Sequence, residues 1–310
     1  MTTRAPRNAA RTGVLAGLGA YGLWGAFPLY FPLLAPAEPV AVIAHRVVWS
    51  LLVMVVVVTA TRGWRQVLEV ARDRRTLVTL AVAAVLLSVN WLVYVFAVMT
   101  GHVVDAALGY FINPLITVAL AVTLLRERVS RTQLVALALG AAAVVVIALG
   151  YGRFPWVAVV LALTFGGYGL LKNRAGRTVG AATGLTIETA VLAPVAAGYL
   201  VWLTAAGSST FTTIGGWHAA ALASAGLVTV VPLLLFAAAA RRTSLTLIGL
   251  MQYGTPVVQF LIGVLVFGEH MPASRWWGFA LVWVALVVLT VDGLRRGRAH
   301  RLARAADAPA

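Results

Sequence analysis

The feature that most limits what this chain can fold into is a succession of apolar blocks, each roughly 16 to 23 residues long, separated by short basic connections. A helix rising 1.5 Å per residue needs about 20 residues to cross a hydrocarbon core about 30 Å thick. Lipid supplies no water to satisfy backbone N–H and C=O groups, so only helices and closed barrels span it. Barrel strands would alternate apolar and polar residues over about ten positions, and no such alternation appears. Composition agrees: 61% of the residues are hydrophobic and 11% charged, where a soluble domain carries about 25% charged residues. The sequence therefore predicts an all-α integral membrane protein.

Ten blocks can be drawn, at approximately 13–34, 40–60, 77–98, 103–125, 132–150, 154–171, 181–203, 219–239, 245–267 and 276–291. The fifth and tenth look shortest, and counts of eight or nine spans are the alternative. Orientation tests the count, because cytoplasmic connections hold the Lys and Arg excess. With the N-terminus inside, that side receives 21 of the 24 basic residues. They fall near positions 4–11, 62–75, 126–131, 172–177, 241–242 and 295–304, whereas the opposite side holds only Arg153 and Arg275. Arg46 lies inside a span. Ten spans with both termini cytoplasmic, in the cell inner membrane, are expected. The first block exceeds the apolar region of about 7 to 15 residues in a cleaved signal peptide, so it is read as a retained helix.

The formal charge of +15 does not point to nucleic acid, since the arginines sit singly or in small groups and form no continuous basic face. No cysteine is present, which removes disulfides and thiolate metal sites from consideration. No metal site and no cofactor is predicted.

An internal repeat is legible. Tyr110-Phe-Ile-Asn-Pro114 opens an apolar run ending at Glu127, and Gln252-Tyr-Gly-Thr-Pro256 opens another ending at Glu269. Pro and Glu stand thirteen residues apart in each, and the copies are offset by 142 residues. Tyr21-x-x-Trp24-Gly25 and Phe165-x-x-Tyr168-Gly169 echo one another at a similar offset. Chance similarity among Leu, Val and Ala is the competing explanation, and the paired Pro and Glu positions argue against it. The predicted organisation is a tail at 1–12, five-helix repeats at 13–150 and 151–292, and a basic tail at 293–310. Five being odd, the second repeat is inverted, an architecture that in transporters holds the substrate between the halves near the bilayer midplane. Pro28, Pro32, Pro114, Pro194, Pro232 and Pro256 would interrupt helices in both halves.

Polar residues at membrane depth are costly and mark cavities or partners. His45 and Arg46 lie in the second span and Glu188 in the seventh, with Arg46 and Glu188 at equivalent positions of the repeat. Together they would bracket a cavity from opposite faces; the alternatives are local pairing for each and, for Arg46, snorkelling to the outer surface. A second group comprises Asn90, Trp91, Tyr94, His102, Asp105, Tyr110 and Asn113, extended by Tyr21, Trp24, Trp49, Tyr168, Gln252 and Tyr253. An aromatic, modestly polar cavity suits a small amphipathic organic solute better than a bare ion. Trp156, Trp202, Trp217, Trp276 and Trp277 stand at span ends and are read as interfacial anchors. Glu127 and Glu269 are expected to fix the turn that follows each span. Gly13, Gly17, Gly22 and Ala20 offer a close helix contact in the first span.

Several stretches resemble the RarD group of the drug/metabolite transporter superfamily, whose repeat unit is the EamA domain. They are Ala44-His-Arg-Val-Val-Trp-Ser50, Asn90-Trp-Leu-Val-Tyr94, the run Gly101 to Pro114, Ile187-Glu-Thr189, and Leu250-Met-Gln-Tyr253 with Pro256. The resemblance covers nearly the whole chain. It implies ten helices as two inverted EamA repeats and outward transport of small metabolites or drugs. Where that group commonly carries Glu, this chain has Asp105, which keeps the charge and shortens its reach.

The expected function is a secondary transporter. His45, Arg46, Trp91, Tyr94, Asp105, Tyr110, Asn113, Glu188, Gln252 and Tyr253 are its substrate-binding or coupling candidates, and Glu188 or Asp105 would carry the proton if transport is proton-coupled. The partners expected are a small amphipathic solute and membrane lipid, with a homodimer as an open assembly. A lipid translocator or a non-transporting scaffold of the same fold is the alternative. An intramembrane enzyme finds no H-E-x-x-H, G-x-S-x-G or paired aspartates, and ATP drive finds no G-x-x-x-x-G-K-[ST] motif.

Overall fold

A computed structural model describes residues 4–125, 130–151, 154–175, 179–240, 242 and 245–306, and among these the chain is helical almost throughout, with no strand. The helices are α1 (Arg4–Tyr30), α2 (Pro39–Ala60), α3 (Trp64–Arg72), α4 (Arg74–Met99), α5 (Val103–Leu125), α6 (Arg131–Tyr151) and α7 (Trp156–Ala175). They continue with α8 (Ala181–Ala205), α9 (Thr210–Thr213), α10 (Gly216–Ala240), α11 (Leu245–Met251), α12 (Gly254–Leu261) and α13 (Ala273–Ala306). Eight of them are long and apolar enough to cross a membrane; α7 and the α12 segment are apolar but shorter. The short members therefore differ from the fifth and tenth blocks expected from sequence. Each of the ten blocks nevertheless coincides with a helix or, for 245–267, with a broken one. Glu127, Arg126, Arg128, Arg153, Arg177 and Arg241 lie outside the described residues.

Local chemistry sets the helix ends. Pro39 supplies the fixed φ that suits a first helical position. The Asp73 carboxylate accepts from the backbone N–H of Arg75 and from the Thr76 hydroxyl, capping α4. At the other end of α4, Gly101 adopts φ +71° while His102 N–H reaches Ala97 O and Gly101 N–H reaches Val98 O. That pair closes the helix in a Schellman motif, which a left-handed glycine permits. Pro114 sits within a continuous α5, whereas its counterpart Pro256 follows a break between α11 and α12. The physical difference is Gly254, a weak helix former where the first copy has Ile112; Pro256 is then tolerated in the first turn of α12. A π-helical turn, Ile262–Val266, completes the segment.

Helix starts keep a fixed offset. Pro39 and Ala181, Arg74 and Gly216, Val103 and Leu245, and Arg131 and Ala273 each begin helices 142 residues apart. The short helices α3 and α9 occupy corresponding connections. In the bundle α2 packs between α8 and α10, α1 lies on α10 and α12, α4 on α7 and α8, α5 on α7 and α12, and α13 on α6.

Lipid tails are as apolar as leucine, so these contacts depend on close van der Waals fit. Gly226 permits the closest approach to a neighbouring helix's backbone among the described glycines: a Cβ on it would lie 2.5 Å from the Trp49 backbone carbon. On α1 the close contacts are made by Gly17 against Met251 and Gly25 against Val258; Gly22 faces open space, which corrects the expectation for that residue. Large apolar side chains such as Leu149, Val195 and Val201 remain exposed outside the bundle, as a lipid-facing surface requires. The five expected tryptophan anchors are also exposed. α3 is strongly amphipathic; its Val67 is buried while Trp64 and Leu68 are exposed, the pattern of a helix lying in the interface.

Candidate functional site

Arg46 is the eighth residue of α2, about 10 Å along the helix from Pro39. It does not snorkel: only 4% of it is exposed. Its Nε donates to Thr229 Oγ1 on α10 at 2.7 Å. Its guanidinium carbon lies 4.0 Å from the Trp91 ring centroid, 5.4 Å from Phe27 and 5.8 Å from Phe31. The phenols of Tyr30, Tyr94 and Tyr110 are within electrostatic range. No described carboxylate pairs with it; the ion pairs among the described residues are Arg65–Glu69, Lys172–Glu188 and Arg275–Asp105. Arg46 Nη1, Tyr94 Oη and Gln259 Oε1 are buried without a hydrogen bond of ordinary geometry, although Tyr94 and Gln259 interact.

A row of rings leads away from this cluster. Phe31 and Tyr94 are 5.9 Å apart, Tyr94 and Tyr110 5.7 Å, Tyr110 and Phe165 5.8 Å, and Phe165 and Tyr168 6.1 Å. Asn90 fixes its middle, accepting from Tyr110 Oη and donating to Leu161 O and Thr164 Oγ1 on α7. The row ends at Glu188, the eighth residue of α8, which accepts from Lys172 Nζ at 2.6 Å and from Tyr168 Oη at 3.4 Å. Gly184 gives this pair its room, since a Cβ there would lie 2.6 Å from Lys172 Nζ and would push the lysine tip aside. Arg46 and Glu188 thus occupy the two ends of one aromatic row, and among the described residues only Glu188 has an oppositely charged partner.

The remaining candidates lie elsewhere. Asp105 pairs with Arg275 Nη2 at 2.7 Å, and Arg275 Nη1 also donates to His270 O, joining α5 to the start of α13. Beside them Glu269 accepts from the N–H groups of Val103 and Val104, so it caps α5, a neighbouring helix, instead of fixing the turn that follows it. Burial pushes the Glu269 carboxyl upward, and the two N–H groups and Arg275 pull it back. His45 stacks on Phe211 at 4.9 Å, outside the Arg46 cluster. Asn113 Oδ1 is buried without a partner near Gly166. Gln252 is exposed, and Tyr253 lines a lateral groove with Phe111, Trp283 and Leu286.

Of the ten candidates the structure therefore gathers Arg46, Trp91, Tyr94 and Tyr110, with Glu188 at the end of their aromatic row. Sequence reasoning missed Phe27, Phe31, Thr229 and Gln259. Gln259 carried a usable signal, an amide in the middle of an apolar run that here donates to Trp24 O. Phe27, Phe31 and Thr229 carried none, being ordinary residues for a span. Lys172 was assigned to a connection, yet it reaches back into α8.

The EamA-like transporter family model matches residues 11–149. Protein RarD of Streptomyces exfoliatus is 50% identical over 302 residues, covering 97% of this chain and 95% of its own. An uncharacterized transporter of Vibrio cholerae is 40% identical, covering 95% of this chain and 97% of its own. The chloramphenicol-sensitive protein RarD of Pseudomonas aeruginosa is 30% identical, covering 91% and 95%. A solved crystal structure at 18% identity superposes with a TM-score of 0.59 over 92% of this chain and 98% of its own, which supports the fold alone. With half its residues shared with the Streptomyces relative across nearly its full length, this chain belongs to the RarD group of the drug/metabolite transporter superfamily and is a multi-pass membrane transporter.

Proposed function

We propose that the protein is a secondary transporter that moves small amphipathic organic solutes outward across the cell inner membrane, by alternating access between two inverted five-helix halves with both termini cytoplasmic. The observation that carries this reading is the Arg46 cluster. It is formed by α1, α2 and α4 of the first half with Thr229 of α10 from the second, where an inverted-repeat transporter holds its cargo.

Three further features support it. Four pairs of helices begin 142 residues apart. The principal interhelical contacts are largely preserved when each span is exchanged for its counterpart: α5 on α7 becomes α12 on α1, and α4 on α7 becomes α10 on α1. The break between α11 and α12 gives the second half a joint that the continuous α5 lacks, suited to a helix that gates. Glu188, held by Lys172, is the carboxylate placed to couple transport to a proton. Asp105, clamped by Arg275, serves the α5–α13 contact.

The test is an untargeted comparison of exported metabolites in cells with and without the protein, followed by flux into proteoliposomes. A changed export profile reproduced by the purified protein is expected. An unchanged profile with proteoliposomes inert to amino acids and amphipathic drugs would favour the scaffold reading; lipid scrambling without solute flux would favour the lipid translocator.

A further inference from the structure

We infer that the Arg46 cluster is an anion-recognition site and that the cargo class is small organic anions, carboxylates above all, with a flat or apolar body. The inference rests on the transport reading above and narrows it from amphipathic solutes to a charge type.

A guanidinium is the hardest side chain to discharge, and burying it costs several kcal/mol unless an opposite charge accompanies it. Arg46 has none among the described residues. Thr229 satisfies one N–H, and the Trp91 face at 4.0 Å contributes about 2 kcal/mol or more when desolvated, without supplying a counter-charge. Nη1 still points to no acceptor. The protein solves the same problem differently elsewhere: buried Arg275 is given Asp105, and Lys172 is given Glu188. At the repeat-equivalent position to Arg46 the second half has an acid with its own base. Of these three bases, Arg46 is the one left to be neutralised by something that arrives.

The surroundings define what arrives. A carboxylate would accept from Nη1, which has no acceptor, and the Tyr94 hydroxyl, which otherwise meets Gln259, would serve as a second donor. Phe27, Phe31 and Trp91 around the guanidinium offer faces and edges to a flat or apolar body. With Tyr94 turned to the carboxylate, Gln259 Oε1 is left as an acceptor and favours a cargo carrying a further N–H or O–H group. A cation would meet repulsion from Arg46, and a neutral solute would leave its charge uncompensated.

Binding to the purified full-length protein in nanodiscs, read by tryptophan fluorescence and calorimetry, decides the matter with three probes of one skeleton: 3-phenylpropionate, 3-phenylpropanol and 3-phenylpropylamine. The carboxylate is expected to bind at least ten-fold more tightly than the alcohol or the amine. Arg46→Gln should remove that preference, bringing the carboxylate no tighter than the alcohol, and Arg46→Lys should restore part of it. Equal or tighter binding of the alcohol or amine, or no binding by any probe, overturns the proposal without needing a variant to fold. Displacement of 3-phenylpropionate by equimolar chloride or sulfate also overturns it, marking an inorganic anion site. Flux of the alcohol or amine in proteoliposomes would sink the anion class and leave transport standing. Arg46-dependent carboxylate binding with no flux of any solute would sink transport and leave the site.

Discussion

The guanidinium of Arg46 stacks 4.0 Å above the ring of Trp91, two helices apart, and no described carboxylate comes to meet it. A charge held in that way contributes little to stability and is retained for another purpose. Arg46→Met is therefore expected to leave the thermal midpoint unchanged or raise it, because an apolar side chain of similar length replaces an uncompensated buried charge. Flux should fall at least ten-fold. A midpoint several degrees lower, measured by fluorescence-monitored unfolding in detergent, would mean that the arginine is structural.

Glu188 behaves oppositely because it has a charged partner, Lys172. Glu188→Gln leaves Lys172 without a counter-charge, which costs about 3–5 kcal/mol for fully buried pairs. The cost should be nearer 2 kcal/mol here, since 27% of the Lys172 side chain is exposed. Transport is expected to drop while membrane insertion persists. Adding Lys172→Met should recover the stability and not the transport. Near wild-type flux in Glu188→Gln would remove Glu188 from coupling.

Gly226→Ala places a methyl group against the Trp49 backbone, which cannot swing aside as a side chain would. The α2–α10 contact must widen, at about 1–3 kcal/mol, and Thr229 retreats from Arg46 with it. A lower unfolding midpoint together with weakened flux is expected. Gly22→Ala, where a methyl group meets open space, is the control and should change neither.

Much of this architecture was legible in the chain because the membrane restricts the choices. Block length predicted where the helices lie, and the Pro-to-Glu spacing has the same 142-residue offset as four pairs of helix starts. The site was legible only in part. Arg46, Trp91, Tyr94 and Tyr110 advertise themselves by polarity or aromaticity at depth. Phe27 and Thr229 do not, because a phenylalanine or threonine in a span is ordinary until tertiary packing aims it at a guanidinium. The same packing sets Gln252 and Tyr253 apart from the cluster: Gln252 is exposed, and the Tyr253 hydroxyl accepts from Thr290 of α13. The ion pair of Asp105 is invisible in the sequence because its partner, Arg275, stands 170 positions away, beyond what spacing can reveal.

The most direct test of a cargo site opening alternately between the halves uses a chain that naturally contains no cysteine. A single cysteine at Thr229, beside Arg46, would be challenged with a small membrane-impermeant thiol reagent in right-side-out and in inside-out vesicles, with a cysteine at Ser208 as the outward-facing control. Alternating access predicts that Thr229→Cys is labelled from both sides while the control is labelled from one only. Labelling of Thr229→Cys from neither side, or from one side alone under all conditions, would contradict it.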